Sequence, residues 1–216
     1  GVEIEHFDEA FATRSGQPFG TVPQRILYTG TLAAYQDIDL LLDAFVALGQ
    51  THPDVRLALA TQSAAGPVLA RAGMLGIADR IDLEADDFAS LPRLLQEAAL
   101  TALPRLHCDG VPQKLLNYMA AGCPIVASQG SAALLENEVS GLVVANGDVE
   151  GFAAAMRRLL DYPDEATALG SRARDVVARG KSWDATARQV EQIYAQLLGE
   201  PAEIASAPSK KRDRAL

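Results

Sequence analysis

Along most of its length this sequence alternates short β-rich runs with stretches of helical apolar spacing, and no other feature narrows its fold as much. The runs at 25–29, 55–60, 80–83, 100–103, 124–128 and 141–144 read as strands. Between the first two, Ile38, Leu41, Leu42, Phe45, Val46 and Leu48 recur as on one face of a helix expected over 36–50. Further helices are expected over 67–75, 88–98, 112–121, 148–161 and 164–180, and from Ser182 to about Leu198. Strands this continuously apolar belong to a parallel sheet covered on both faces. The expected fold class is therefore α/β, a doubly wound, Rossmann-like parallel six-stranded sheet with helices on both faces. In such a sheet ligands bind beyond the carboxyl ends of the strands, where the strand order reverses. The loops after Thr29, Ala60, Leu83, Leu103 and Ser128 are thus the places to look for chemistry.

A chain of 216 residues suffices for one such domain and hardly for two. Residues 1–24, rich in Gly, Pro, Ser and Thr without clear periodicity, read as a connecting arm from a missing N-terminal domain. Residues 25–198 form the Rossmann-like domain, and 199–216 read as a disordered basic tail. The net charge of −9 argues against nucleic acid as a partner, because phosphate backbones demand clustered Lys and Arg. A single nucleotide remains compatible, since one diphosphate needs only local donors. Cys108 and Cys123 have no metal-ligand spacing, read as small apolar residues and suit a reducing compartment. The expected location is cytoplasmic, and no apolar run approaches the ~18 residues that span a bilayer.

The densest segment runs from His107 to Gly122. A strand ends, the loop Gly110, Val111, Pro112 follows, and a helix opens with Pro112 expected in its first turn. That arrangement leaves unpaired backbone N–H groups and a positive dipole end facing the crevice, where a diphosphate fits. On this helix Leu115, Leu116 and Met119 are expected to face the core, while Lys114, Asn117 and Tyr118 share one polar face.

Read together with Tyr28-Thr29-Gly30-Thr31-Leu32, the run 39–45, Ser140-Gly141-Leu142-Val143-Val144, Gly147-Asp148 and Ser182-Trp183, residues 25–198 resemble the C-terminal domain of the retaining GT-B glycosyltransferases of family four. The resemblance implies a donor-binding half that takes a nucleoside diphosphate sugar, with the acceptor held by its own N-terminal domain. It implies transfer of a hexose-type sugar with the anomeric configuration kept. The family brackets its donor segment with two glutamates separated by seven residues. The matching positions here are Asp109, on the side of the donor sugar, and Asn117, on the side of the ribose. The remaining donor contacts fall on Gly30, Thr31, Gln36, Glu84, Ala85, Gly110, Val111, Pro112, Lys114 and Leu115. Glu84, Ala85 and Asp86 lie where the family holds the base through backbone groups.

Besides Asp109 and Asn117, two further positions depart from the family. An Arg commonly follows the first strand's Gly, with Lys five residues on, and this chain has Thr31 and Gln36 there. The resemblance implies that Lys114 or Arg105, with the helix N-terminus, carries the charge instead, and that a Lys restored at Gln36 improves donor affinity. No metal or other cofactor is expected. A peripheral membrane association through the acceptor domain, at the inner face of the membrane, is compatible with the resemblance. His107 reads as structural or water-bonded, and His6 and His52 as surface residues. Trp183 is expected to anchor the last helix against the sheet or the missing domain. An NAD-binding Rossmann enzyme is excluded by the turn Gly30-Thr31-Leu32-Ala33-Ala34, which lacks G-x-G-x-x-G.

Overall fold

The computed structural model describes residues 1–16 and 24–198. Six strands carry the apolar runs: β1 (Arg25–Thr29), β2 (Arg56–Ala60), β3 (Ile81–Glu84), β4 (Leu100–Leu103), β5 (Ile125–Ser128) and β6 (Leu142–Val144). All their pairings are parallel, in the order β3-β2-β1-β4-β5-β6. The chain winds outward from β1 to one edge, crosses back to β4 and winds to the other. The reversal therefore falls between β1 and β4.

Alternate side chains of these strands enter two separate cores. Ile26, Tyr28, Leu57 and Leu59 pack with α2 (Ile38–Gly49), α3 (Gly66–Met74) and α6 (Val149–Asp161). Leu27, Ala58, Ala60 and Leu103 pack on the other face with α4 (Leu91–Glu97) and α5 (Gln113–Ala120). Helix α7 (Pro163–Ala178) supplies Ala166 and Leu169 to the first core and Ala173 and Val177 to the second. Fully burying one Leu or Phe is worth roughly 1.5–3 kcal/mol, so each face is held by many such contributions.

The expected irregular arm at the N-terminus is instead helical where it is described. A 3-10 turn over Ile4–Phe7 leads into α1 (Asp8–Gly16). Val2 and Phe7 are buried, Val2 forms a bridge with Ser182, and Arg174 both pairs with Asp8 and stacks on the Phe11 ring. This segment closes the second face of the sheet beside α4. The last helix, α8 (Trp183–Leu198), has no buried residue. Trp183 is 58% exposed, so it does not anchor α8 to the sheet. Neither distal histidine is a free surface residue: His6 stacks on Phe88, and His52 bonds Asp161 at 3.0 Å. The tail from 199 lies outside the described residues.

Candidate functional site

Strands β1 and β4 stay paired only at Ile26↔Leu100 and Leu27↔Thr101, whereas β1 and β2 stay paired to Thr29↔Ala60. Beyond Leu27 the β4 side of β1 is therefore left without a strand partner. The Thr29 N–H, the next ladder donor on that side, would be orphaned in a buried place. The Tyr118 hydroxyl from α5 accepts its bond at 2.9 Å and shares a second with Thr29 Oγ1 at 3.0 Å. Tyr118 is thus fully buried, and the polar face expected to include it does not. Its covering is the parting of the two strands.

The parting opens a crevice between the β1–α2 and β4–α5 loops. Asp37, held at φ 54°, does not cap α2 with its side chain; its Oδ2 crosses the crevice to accept from the Leu106 N–H at 2.9 Å. On the rim, the Arg105 guanidinium lies 5.0 Å over the Tyr35 ring and donates to the His107 carbonyl at 2.6 Å. Lys114 reaches into the wall. Its Nζ donates to Tyr28 Oη at 2.8 Å and to Gln36 Oε1 at 3.1 Å, and lies 4.0 Å over the Tyr28 ring. It passes so close to the turn after β1 that a Cβ on Gly30, itself at φ +107°, would stand 2.9 Å from Nζ. Burial pushes the Tyr28 phenol up, so it stays protonated and donates to the Thr31 carbonyl at 2.6 Å.

Helix α5 opens on the same crevice. Pro112 occupies its N-cap position, one place earlier than expected, and no side chain caps the helix. Gly110 at φ +94° turns the loop into it. The Leu115 N–H is bonded to the Pro112 carbonyl at 3.0 Å and its side chain is buried, so this residue offers a ligand neither. The free amides of the first turn belong to earlier positions. Asp109 stands at the mouth with its side chain 97% exposed, 3.3 Å from His107 Nε2. Asn117 is half-buried one turn in; its Oδ1 accepts from Gln113 Nε2 at 3.4 Å. Val111 and Gln113 are exposed beside the start of the helix.

The other predicted positions divide. The Thr31 hydroxyl is engaged by Ser63 Oγ at 3.0 Å and by the Ala33 N–H. Gln36 is buried against Lys114 and does not face solvent. The Glu84 carboxylate turns across the sheet to Arg25, and its carbonyl accepts from the Thr61 N–H, so Glu84 contributes no free side chain to the crevice. Ala85 is exposed. Ser63 is not singled out from sequence, and Tyr28 and Asp86 are named there only within a landmark run and the loop after β3, with no role for the Tyr28 hydroxyl or for the Asp86 carboxyl, which burial pushes up while the Lys114 charge opposes the shift. A cavity of ≈ 450 Å³ lies on the far side of the β1–α2 loop, but its Arg71 is already paired with Asp39 and Asp43. Among the described residues no group of three or more His, Cys, Asp or Glu is placed to hold a metal ion.

With this geometry in place, comparison with known proteins identifies the family. The family model described as glycosyl transferases group 1 matches residues 23–162. The chain belongs to this family. Over 188 residues, 80% of the chain, it is 31% identical to the D-inositol 3-phosphate glycosyltransferase of Thermobispora bispora, covering 43% of that protein. The sucrose-phosphate synthase of Thermosynechococcus elongatus superposes with a TM-score of 0.78 at 24% identity, over 92% of this chain and 51% of the synthase. Anabaena HepE, solved in complex with UDP-glucose, superposes with a TM-score of 0.72 at 18% identity, over 92% of this chain and 56% of that one. These two likenesses show that the group 1 domain has the Rossmann-like fold of a GT-B half. The chain spans about half the length of the relatives it matches. No helix among the described residues is long and apolar enough to cross a membrane.

Proposed function

We propose that this group 1 domain is the donor-binding half of a retaining glycosyltransferase. It takes a nucleoside diphosphate sugar, and an N-terminal domain holds the acceptor for a hexose-type transfer. One observation supports the reading: α5 begins without a side-chain cap at the strand-order reversal, with Asp109 exposed just before it and Asn117 half-buried one turn in. Amides and the helix dipole there suit a diphosphate. Asn117 is both donor and acceptor for a ribose diol, and Asp109, almost fully exposed beside His107, is the carboxylate on the side of the sugar. During transfer the bond between the sugar's anomeric carbon and the diphosphate oxygen breaks with its electron pair leaving on the diphosphate, while an acceptor hydroxyl oxygen bonds the anomeric carbon and gives up its proton to the departing diphosphate. The domain's contribution is to orient the donor and to stabilise that departing charge.

Calorimetry of the chain with UDP, GDP and their sugars tests this. Binding of at least one nucleotide, with no transfer by the chain alone, is expected; measurable transfer without an acceptor domain contradicts the division of labour. A second reading, a scaffold or nucleotide-sugar sensor without catalysis, draws on the internal bonding of Thr31, Gln36 and Asn117. Absence of heat with every nucleotide would favour the scaffold.

A further inference from the structure

Lys114 is an ammonium set into the crevice wall against two neutral partners. Tyr28 Oη and Gln36 Oε1 lie 2.8 and 3.1 Å from Nζ. The Tyr28 proton is committed to the Thr31 carbonyl, which leaves the phenol oxygen to accept. Gln36 is only 4% exposed, and its carbonyl is spent on this one contact. An ammonium carries three donors, so these two acceptors leave one for a ligand. A cation taken from water and hydrogen-bonded only to neutral acceptors is poorly compensated, and an arriving anion relieves that cost. Its position beside the Gly30 turn, where even a Cβ would crowd it, puts it between the β1–α2 loop and the mouth of α5.

We propose that Tyr28 and Gln36 are positioning residues that hold Lys114 at the crevice, so that this one ammonium on α5 meets the donor's diphosphate in place of a cation on the β1–α2 loop. The inference rests on the donor-binding reading above. It also reverses an expectation drawn from resemblance. A Lys at position 36 would bring a second ammonium against the first, in a site where the first is already hard to keep charged. Burial lowers the Lys114 ammonium to about 7; Asp86, from the loop after β3, opposes the fall, and Arg105, from the loop after β4, adds to it. Tyr28 from β1 and Gln36 from the β1–α2 loop face it as neutral groups. A bound diphosphate stabilises the charged form, so binding above neutrality draws a proton from solution.

The test is calorimetric titration of the 216-residue chain with UDP and GDP at pH 6 and pH 8, in buffers of different ionisation enthalpy, with thermal melts as a check on folding. Lys114→Gln should weaken nucleotide binding about tenfold or more, the scale of a lost charge-assisted hydrogen bond. Gln36→Lys alone should not tighten binding, and the exchange Gln36→Lys with Lys114→Gln should recover most of the loss. The wild-type chain should take up a proton on binding at pH 8, and Lys114→Gln should not. Should Lys114→Gln fail to fold, Gln36→Glu supplies the partner charge instead; it should weaken binding and abolish the uptake. Undiminished binding by Lys114→Gln, or tighter binding by Gln36→Lys alone, overturns the inference and leaves donor binding standing. A wild-type chain that binds no nucleotide removes both.

Discussion

An ammonium that folding takes out of water binds its proton less tightly in the folded chain than in the unfolded one. Lys114 falls from its ordinary 10.5 to about 7. The unfolded chain therefore holds the extra proton between these values, and stability rises with pH across them. Below about 7 the cost of the buried charge is fully present, and it fades as pH climbs toward 10.5. Comparing thermal melts of the wild type and Lys114→Met, the difference should move in favour of the wild type between pH 6 and pH 9. A constant difference would mean that the ammonium is solvated. Lys114 itself was legible in the sequence as a donor-side residue. That Tyr28 and Gln36 are its partners was not, because helical spacing gives the angle of a side chain around its axis and not what the fold lays over it. Tyr118 shares its direction with Lys114 and Asn117 by spacing, yet the parting of β1 from β4 draws its hydroxyl inward to Thr29.

That hydroxyl joins α5 to the end of β1, and Lys114 joins them a second time through Tyr28. Tyr118→Phe keeps the ring in the core but leaves the buried Thr29 N–H unsatisfied, at a cost of about 1–3 kcal/mol. Denaturant titration should show that loss, and an unchanged midpoint would mean that water replaces the hydroxyl. At this scale the sequence was most informative about the strands. Most of their apolar runs end at Gly, Pro or polar residues, and strands and helices fall within a few residues of where patterning puts them. The first sixteen residues escaped because their order depends on distant partners. Val2 bonds the Lys181 carbonyl, Phe7 fills a gap in the second core, and Phe11 lies under Arg174 against Gly122. No local periodicity announces contacts made across most of the chain.

In the whole molecule, the two sheet faces are covered by helices, and the carboxyl end of the sheet carries the crevice. Helix α8 stands apart: Trp183, Val190, Ile193, Tyr194 and Leu197 are all exposed on it. In a chain that spans about half the length of its relatives, such a helix accords with the proposed division between donor and acceptor halves. What the division requires first is that this half hold a donor at the reversal of strand order. Soaking a crystal of the chain with UDP-glucose tests that most directly. The account predicts a diphosphate at the mouth of α5 in contact with Lys114 Nζ, the ribose toward Asn117 and the sugar toward Asp109. A nucleotide seated elsewhere, or an empty crevice at saturating donor, would contradict it.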